Sequence, residues 1–187
     1  SSFFGGASFQ VGRWDIYQFS GTFYRIYFTD AYFGIHTVEW NSVTGEFTNP
    51  QSYNLLTNPA FIADNIPATS MFLGIAVLNA AAPSPNDTYI ALTTDTYNSY
   101  FVKLQFDQTG ALYNANLLTV CKKSSNAVNL AKVIGTYVEE DIYFFAVSSY
   151  DPTTQQGFIT VYNSSSNITG TSPGQGMQLQ TINYPPA

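Results

Sequence analysis

Charged side chains are scarce in this chain of 187 residues: Asp, Glu, Lys and Arg together make up 10% of it, against about 25% in a typical soluble domain. The six Lys and Arg are scattered, and the formal net charge is −6. No basic stripe can therefore neutralise phosphates, and we expect no nucleic acid partner. Ser, Thr, Asn, Gln and Tyr supply the polar surface instead, a composition that favours an extracellular protein.

Cysteine and histidine are nearly missing, with Cys121 and His36 the single examples. A lone cysteine excludes an intrachain disulfide, so the core alone must hold the fold together. We interpret Cys121 as an unreactive thiol, since His36 lies far from it in the sequence. Metal-ligand clusters, phosphate-cradling glycine loops and nucleophile elbows are absent from the sequence, so we expect no metal and no cofactor.

Long apolar runs are also missing. None reaches the roughly 18 residues that a membrane helix needs, and the longest, residues 71–82, ends before Pro83. We therefore expect no membrane span. A chain that starts at Ser1 without a methionine is expected for a mature protein after removal of a leader, or for a trimmed chain.

Aromatic residues are abundant, at 17% of the chain. Aromatic and β-branched residues alternate with polar residues, and turn-forming residues recur about every ten positions. This pattern predicts an all-β domain. We find no convincing helix, because the best candidate, residues 127–138, is β-branched in its second half and contains Gly135; we interpret it as two short strands.

Three segments, residues 24–48, 89–113 and 143–170, share one pattern: a strand, a polar turn and a second strand that ends in an aromatic residue. A further turn is predicted after each second strand, because Asn or Asp can bond its own backbone and a following Gly or Asn tolerates positive φ. The residue pairs that mark these turns are Asn41 and Gly45, Asp107 and Gly110, and Asn163 and Asn167.

A tetrapeptide supplies a second periodic marker. Asn54-Leu55-Leu56-Thr57 recurs as Asn116-Leu117-Leu118-Thr119, 62 residues later, and more weakly as Gln178-Leu179-Gln180-Thr181 after another 62. A fixed offset predicts a repeat architecture of four-stranded units. We assign the units to about residues 24–57, 58–119 and 120–181 of a repeat domain spanning 24–187, preceded by an N-terminal strand or tail at 1–23.

The strand at residues 34–40, the Thr-Gly-Glu turn at 44–46 and the Asn-Pro-Ala segment at 58–60 resemble a blade junction of the lactonase-type seven-bladed β-propellers. In that family a glycine, isoleucine, aromatic strand precedes a Thr-Gly-Glu turn and an Asn-Pro-Ser segment. The resemblance covers residues 26–63 well and 89–171 loosely, and it implies propeller-like blades. Propellers typically have four to eight blades, so three units imply a partial ring or one closed by association of copies. A β-trefoil and a β-sandwich are the alternatives.

Three sequons match the N-glycosylation pattern, at Asn86, Asn163 and Asn167, and all are predicted on loops or turns. Together with the scarce charge they indicate a secreted or cell-surface glycoprotein.

Four residues are candidates for a ligand-binding site. Asp30 and Asp95 occupy equivalent strand ends, where turn capping is the main interpretation and a polar site the alternative. His36 stands where the lactonase-type strand carries an aromatic residue, and it is interpreted as a packed imidazole or, alternatively, an acid/base. Trp40 belongs to a set of aromatic residues that can stack on sugar rings, although core packing accounts for most of them.

The sequence therefore favours a structural or binding module that acts through self-association or another extracellular protein, with carbohydrate as a possible ligand. One alternative is a lactonase- or cyclase-like enzyme acting on a cyclic ester. Another is an extracellular filament subunit that donates residues 1–12 to a neighbour's sheet.

Overall fold

Strands dominate the chain. The computed structural model describes residues 11–30, 34–63, 72–78, 86–94, 98–122, 133–139, 142–151, 155–163, 174–175 and 177–184. The strands in these residues are β1 (Val11–Ser20), β2 (Phe23–Asp30), β3 (Gly34–Asn41), β4 (Phe47–Asn54), β5 (Phe72–Val77), β6 (Asp87–Thr94), β7 (Asn98–Phe106), β8 (Leu112–Lys122), β9 (Val133–Glu139), β10 (Ile142–Asp151), β11 (Gln156–Asn163), β12 (Gly174–Gln175) and β13 (Met177–Tyr184). The prediction of an all-β fold is confirmed.

The strands form three sheets. Sheet 1 has the order β1-β2-β3-β4, sheet 2 the order β12-β8-β7-β6-β5, and sheet 3 the order β13-β11-β10-β9. Pairing is antiparallel throughout except between β12 and β8. Across the described strands, none of the three sheets closes into a barrel.

The three predicted strand–turn–strand segments are the antiparallel hairpins β2–β3, β6–β7 and β10–β11. The turn after β3 has the predicted chemistry: Asn41 Oδ1 accepts from the Val43 N–H at 2.9 Å, and Gly45 has a φ of +74°. The turn after β7 is built the same way, with Gly110 at a φ of +82°. The third turn lies beyond Asn163, outside the described residues.

The prediction of no helix is wrong just after β4. A 3-10 turn spans Leu55–Thr57 and a short helix, α1, spans Pro59–Ala63. Asn54 accepts from the Leu56 N–H at 2.9 Å and Asn58 from the Ala60 N–H at 3.0 Å, so two caps and a proline at the first helical position start these turns. The first copy of the tetrapeptide is thus a turn, whereas the second lies inside β8. Of residues 127–138, the described part belongs to the single strand β9.

The core lies between sheet 1 and sheet 2. Odd-numbered residues of β2 and β3, such as Tyr27 and Ile35, are fully buried against residues of sheet 2 such as Ile90 and Tyr100. Since side chains alternate along a strand, this packing fixes which face of sheet 1 points inward.

Arg25 joins the two sheets at one end of this core. Its guanidinium lies 3.9 Å from the ring centre of Phe106 and 4.7 Å from that of Phe19, and it contacts Glu39 Oε1 at 2.7 Å. Asn49 Nδ2 also donates to Glu39 at 3.2 Å. Two phenyl faces and a carboxylate thus compensate the buried charge.

Four hydrogen bonds between sheet 1 and sheet 2 join residues that are 61 or 62 positions apart in the sequence. Tyr27 and Thr88 are 61 residues apart, and so are Gln51 and Leu112; Asn49 also reaches the carbonyl of Gly110, 61 positions on. The Asp15 carboxylate accepts from the backbone of Val77, 62 positions on. This offset is close to the 62-residue spacing of the tetrapeptide.

Two threonines of this interface provide a matched test. Thr88 Oγ1 lies 3.0 Å from Tyr27 Oη, and burial raises the pKa of the Tyr27 phenol, which stays neutral. Thr29 is fully buried and its hydroxyl has no hydrogen-bond partner. Thr88→Val is expected to lower the free energy of unfolding by about 1–2 kcal/mol, whereas Thr29→Val is expected to leave it unchanged or raise it, because it removes an unsatisfied hydroxyl. Urea unfolding of unglycosylated protein measures both; equal losses would contradict the assignment.

Asp107 provides a test by pH. Hydrogen bonds from the Thr109 side chain and the Ala111 backbone hold the pKa of its carboxyl below the ordinary 3.8. A lowered pKa in the folded state contributes stability that is present above the unfolded value and is lost as the pH falls through the folded one. Asp107→Asn is therefore expected to flatten the fall in stability below about pH 4. Unfolding midpoints measured across this range check it, with Gln108→Ala, in the same turn, expected to behave as the wild type.

Candidate functional site

Two of the predicted site residues, Asp30 and His36, lie together. Asp30 is the last residue of β2 and His36 is the third residue of β3, and both are buried. Asp30 Oδ2 lies 2.7 Å from His36 Nε2. Asp95, the counterpart of Asp30 in the sequence pattern, lies outside the described residues.

The polar contacts continue on the other side of the imidazole. His36 Nδ1 lies 2.8 Å from the hydroxyl of Ser52 on β4, and Asp30 Oδ1 accepts from the Gly34 N–H at 2.8 Å. A carboxylate that accepts at Nε2 selects the tautomer with its proton there, which leaves Nδ1 as the acceptor for the Ser52 hydroxyl. Asp30, His36 and Ser52 thus form one hydrogen-bonded line, called the polar line below.

Strand pairing places these residues. His36 is directly opposite Ser52 on one side and Phe28 on the other, and the imidazole stacks on the Phe28 ring with centres 5.3 Å apart. Asp30 reaches the line from the end of β2, where its other oxygen holds the start of β3. The polar line therefore runs from the buried Asp30 to Ser52, which is exposed on the outermost strand of sheet 1.

Gly34 makes room for the Asp30–His36 contact. A Cβ on this residue would lie 2.5 Å from Asp30 Oδ2 and 2.7 Å from His36 Nε2, closer than real Cβ atoms approach. The absence of a side chain at position 34 is thus a condition for the polar line.

The outer face of sheet 1, turned away from sheet 2, also carries exposed apolar side chains. Its exposed and half-buried members, called the outer apolar face below, are Trp14, Ile16, Tyr24, Ile26, Trp40 and Phe47. Trp14 is 61% exposed and Phe47 51%. Trp40, the predicted sugar platform, is half-buried and packs on Tyr24 with ring centres 5.5 Å apart. Ser52 and His36 lie on this same face.

A cavity of about 220 Å³ lies on the opposite face, at the end of the interface between the sheets. Arg25, Glu39, Phe106 and Asn86 line it, together with the turn after β7. Asn86 is a predicted glycosylation site, and Thr88, the third residue of its sequon, is buried against Tyr27. Attachment of a sugar at Asn86 therefore requires a chain in which Thr88 is not yet packed.

The other two predicted glycosylation sites are Asn163 and Asn167. Asn163 was predicted on a loop or turn and is instead the last residue of β11, opposite Phe144 and Met177. Asn167 lies outside the described residues.

The described residues hold neither a metal-ligand cluster nor a membrane-spanning helix. Those residues contain no group of three or more His, Cys, Asp and Glu arranged to hold a metal ion. Neither of their short helices has the length or the apolar run that crossing a bilayer requires.

Comparison of the chain with protein-family models, with curated proteins and with solved structures finds no match. The site has to be understood from its own geometry.

Gly34→Ala tests whether the polar line depends on the space at this glycine. We expect the Asp30–His36 contact to break, because the new methyl group occupies the place of the two contacting atoms. NMR of the His36 ring nitrogens reports this directly, as loss of the single tautomer. Gly21→Ala is the control: its Cβ would meet nothing within 4 Å, and only its φ of +52° makes it unfavourable, at about 1 kcal/mol. An unchanged His36 spectrum in Gly34→Ala would contradict the role given to this glycine.

Proposed function

We propose that this chain is a structural and binding module that associates through the outer apolar face of sheet 1, in the first place with a second copy of itself. The observation that carries the proposal is the character of that face. It exposes Trp14, Ile16 and Phe47, and apolar patches of this kind on a soluble protein mark contacts with other molecules.

The distribution of charge supports a protein partner. The charged residues Asp15, Arg25 and Glu39 of the same strands point to the other face, where they bind Val77, Phe106 and Asn49. On the outer face Asp30 is buried against His36, and Arg13 is exposed at the irregularity of β1 beside Trp14. A face with aromatic rings and little charge resembles the core of an interface more than an ordinary surface.

The stacking of the sheets supports another sheet as the partner. Sheet 1 already covers its inner face with sheet 2, and β5 of sheet 2 contacts both β1 and β9. The first strands of the three sheets begin at Val11, Phe72 and Val133, at intervals of 61 residues. Sheets that pack in series in this way favour the propeller-type blade arrangement expected from the lactonase-type resemblance. Two copies would supply six sheets, within the four to eight blades of typical propellers.

Among the described strands, no further sheet follows sheet 1 on its outer face. Two antiparallel sheets pack with their apolar faces about 10 Å apart, so a four-stranded sheet of a second copy can cover Trp14 and Phe47 as sheet 2 covers Tyr27. This contact makes self-association the function that the geometry favours over binding of a charged small molecule.

The proposed setting is extracellular, as a secreted or cell-surface glycoprotein. The low charge and the sequons at Asn86, Asn163 and Asn167 support this proposal. Expression in a secretory host followed by glycosidase treatment tests it, with a loss of mass as the expected result and an unchanged mass as the result against it.

Strand donation is less well supported. Residues Val11 and Gly12 of the segment expected to be donated belong to β1, which pairs with β2 of its own chain; residues 1–10 lie outside the described part.

Substitution of the outer apolar face tests self-association. The double variant Trp14→Ser with Phe47→Ser is expected to be a monomer of 20.6 kDa before any sugar is added, while the wild type forms a dimer or larger assembly. Light scattering coupled to gel filtration measures the masses. Tyr113→Ser is the matched control, because Tyr113 is 59% exposed on sheet 2 and its loss should leave the assembly intact. A wild-type monomer at high micromolar concentration would contradict the proposal.

A further inference from the structure

We propose that the polar line is a nucleophilic site in which Ser52 is activated by His36, and that it accepts esters with an apolar acyl group. This activity goes beyond the association proposed above and rests on different atoms. It is also distinct from a cyclic-ester site in a propeller channel, since Ser52 lies on the outer strand of sheet 1.

The geometry meets the requirements for an activated serine. The nucleophile and the base are within hydrogen-bond distance, 2.8 Å between Ser52 Oγ and His36 Nδ1, and the base is held on its far side by the Asp30 carboxylate at 2.7 Å. A base oriented by a third group is the arrangement that serine nucleophiles use on unrelated folds. Here the carboxylate binds Nε2 and the serine Nδ1.

The polar line is buried at the base and exposed at the nucleophile, as attack on a substrate requires. His36 and Asp30 are buried, at 8% and 7% exposure, so water does not compete for their contact. Ser52 is exposed, so a substrate can reach its hydroxyl.

The strand that carries Ser52 also offers donors for an oxyanion. β4 is the last strand of sheet 1, and in the described residues no strand pairs with its outer edge. Along such an edge, alternate residues point their N–H groups away from the sheet. The unpaired backbone N–H groups of this edge are the donors that we assign to the negative charge on the carbonyl oxygen of an ester at Ser52.

The surroundings of Ser52 select the acyl group. Trp14, Phe28, His36 and Ser52 stand opposite one another on successive strands, so they form one row across the outer face. Phe28 and His36 in the middle of this row are buried, at 8% exposure each, so the aromatic rings of this face that an acyl chain can contact are the exposed ones, Trp14 and Phe47. Asp30, the charged residue of the polar line, is buried and bound to His36, so it does not bind a charged substrate.

The reaction proceeds in two steps. Ser52 Oγ attacks the ester carbonyl and its proton passes to His36 Nδ1, while the Asp30 carboxylate stabilises the imidazolium through Nε2–H. The C–O bond to the alcohol breaks and the leaving oxygen takes the proton from Nδ1, which leaves an acyl group on Ser52. Water then attacks the acyl carbon, His36 accepts its proton, and the carboxylic acid leaves as Ser52 Oγ regains a proton.

Fluorophosphonate labelling tests the proposal, because this probe reacts with activated serines and not with ordinary ones. The wild type is expected to gain one label, mapped to Ser52 by peptide mass spectrometry. Ser52→Ala should lose it, and His36→Gln should slow it by about 10²-fold or more. Ser42→Ala is the control, since Ser42 is an exposed serine whose hydroxyl donates to the Thr22 carbonyl; it should label like the wild type.

Asp30 is a positioning residue in this scheme. Its test needs a measurement that does not change when the variant is merely less stable. In Asp30→Asn the charged acceptor at His36 Nε2 is lost, so labelling of Ser52 should slow and the NMR signals of the His36 ring nitrogens should no longer show a single tautomer. Hydrolysis of p-nitrophenyl butyrate by the wild type, absent in Ser52→Ala, supplies the second readout. No label on Ser52 in folded wild type, or equal labelling in His36→Gln, would overturn the proposal. Neither result depends on the mass measured for the association.

Discussion

The packing of sheet 1 against sheet 2 is the constraint on which the rest of the structure depends. Tyr27 and Ile35 are fully buried there, and Arg25 is accommodated because Phe19, Phe106 and Glu39 surround it. Because side chains alternate along each strand, this choice of inner face assigns every even-numbered residue of β2 and β3 to the other face. The polar line and the outer apolar face are therefore both consequences of what sheet 2 covers.

Local chemistry made much of the fold predictable. The hairpins and the turns at Gly45 and Gly110 follow from Asn or Asp followed by a residue that accepts positive φ, and short-range rules suffice for these. The helical turns after β4 were not predicted. Their capping residues, Asn54 and Asn58, were assigned to the repeated tetrapeptide and to the propeller-like segment, so they were not interpreted as helix caps. The order in which the three sheets pack depends on long-range contacts between strands, which short-range rules do not describe.

The candidate site was predictable only in part. Asp30 and His36 stood out as single residues, but nothing in the spacing showed that the β2–β3 turn would bring them into contact. Ser52 was missed altogether, because a serine in a polar strand carries no signal of its own. It becomes visible only from pairing register: the turn at Gly45 and the bulge near Asn49 together place Ser52 opposite His36. One more or one fewer residue in this hairpin would have turned the hydroxyl to the other face.

The two proposals use one face in different ways. Association draws on Trp14 and Phe47, which are its most exposed rings, whereas the polar line consists of Asp30, His36 and Ser52. A partner sheet needs apolar surface and no particular bond, but an activated serine needs two hydrogen bonds in fixed positions. The space reserved by Gly34 is a requirement of the second kind. Apolar packing alone does not explain a glycine at position 34, because the atoms that a Cβ would displace are a carboxylate oxygen of Asp30 and an imidazole nitrogen of His36.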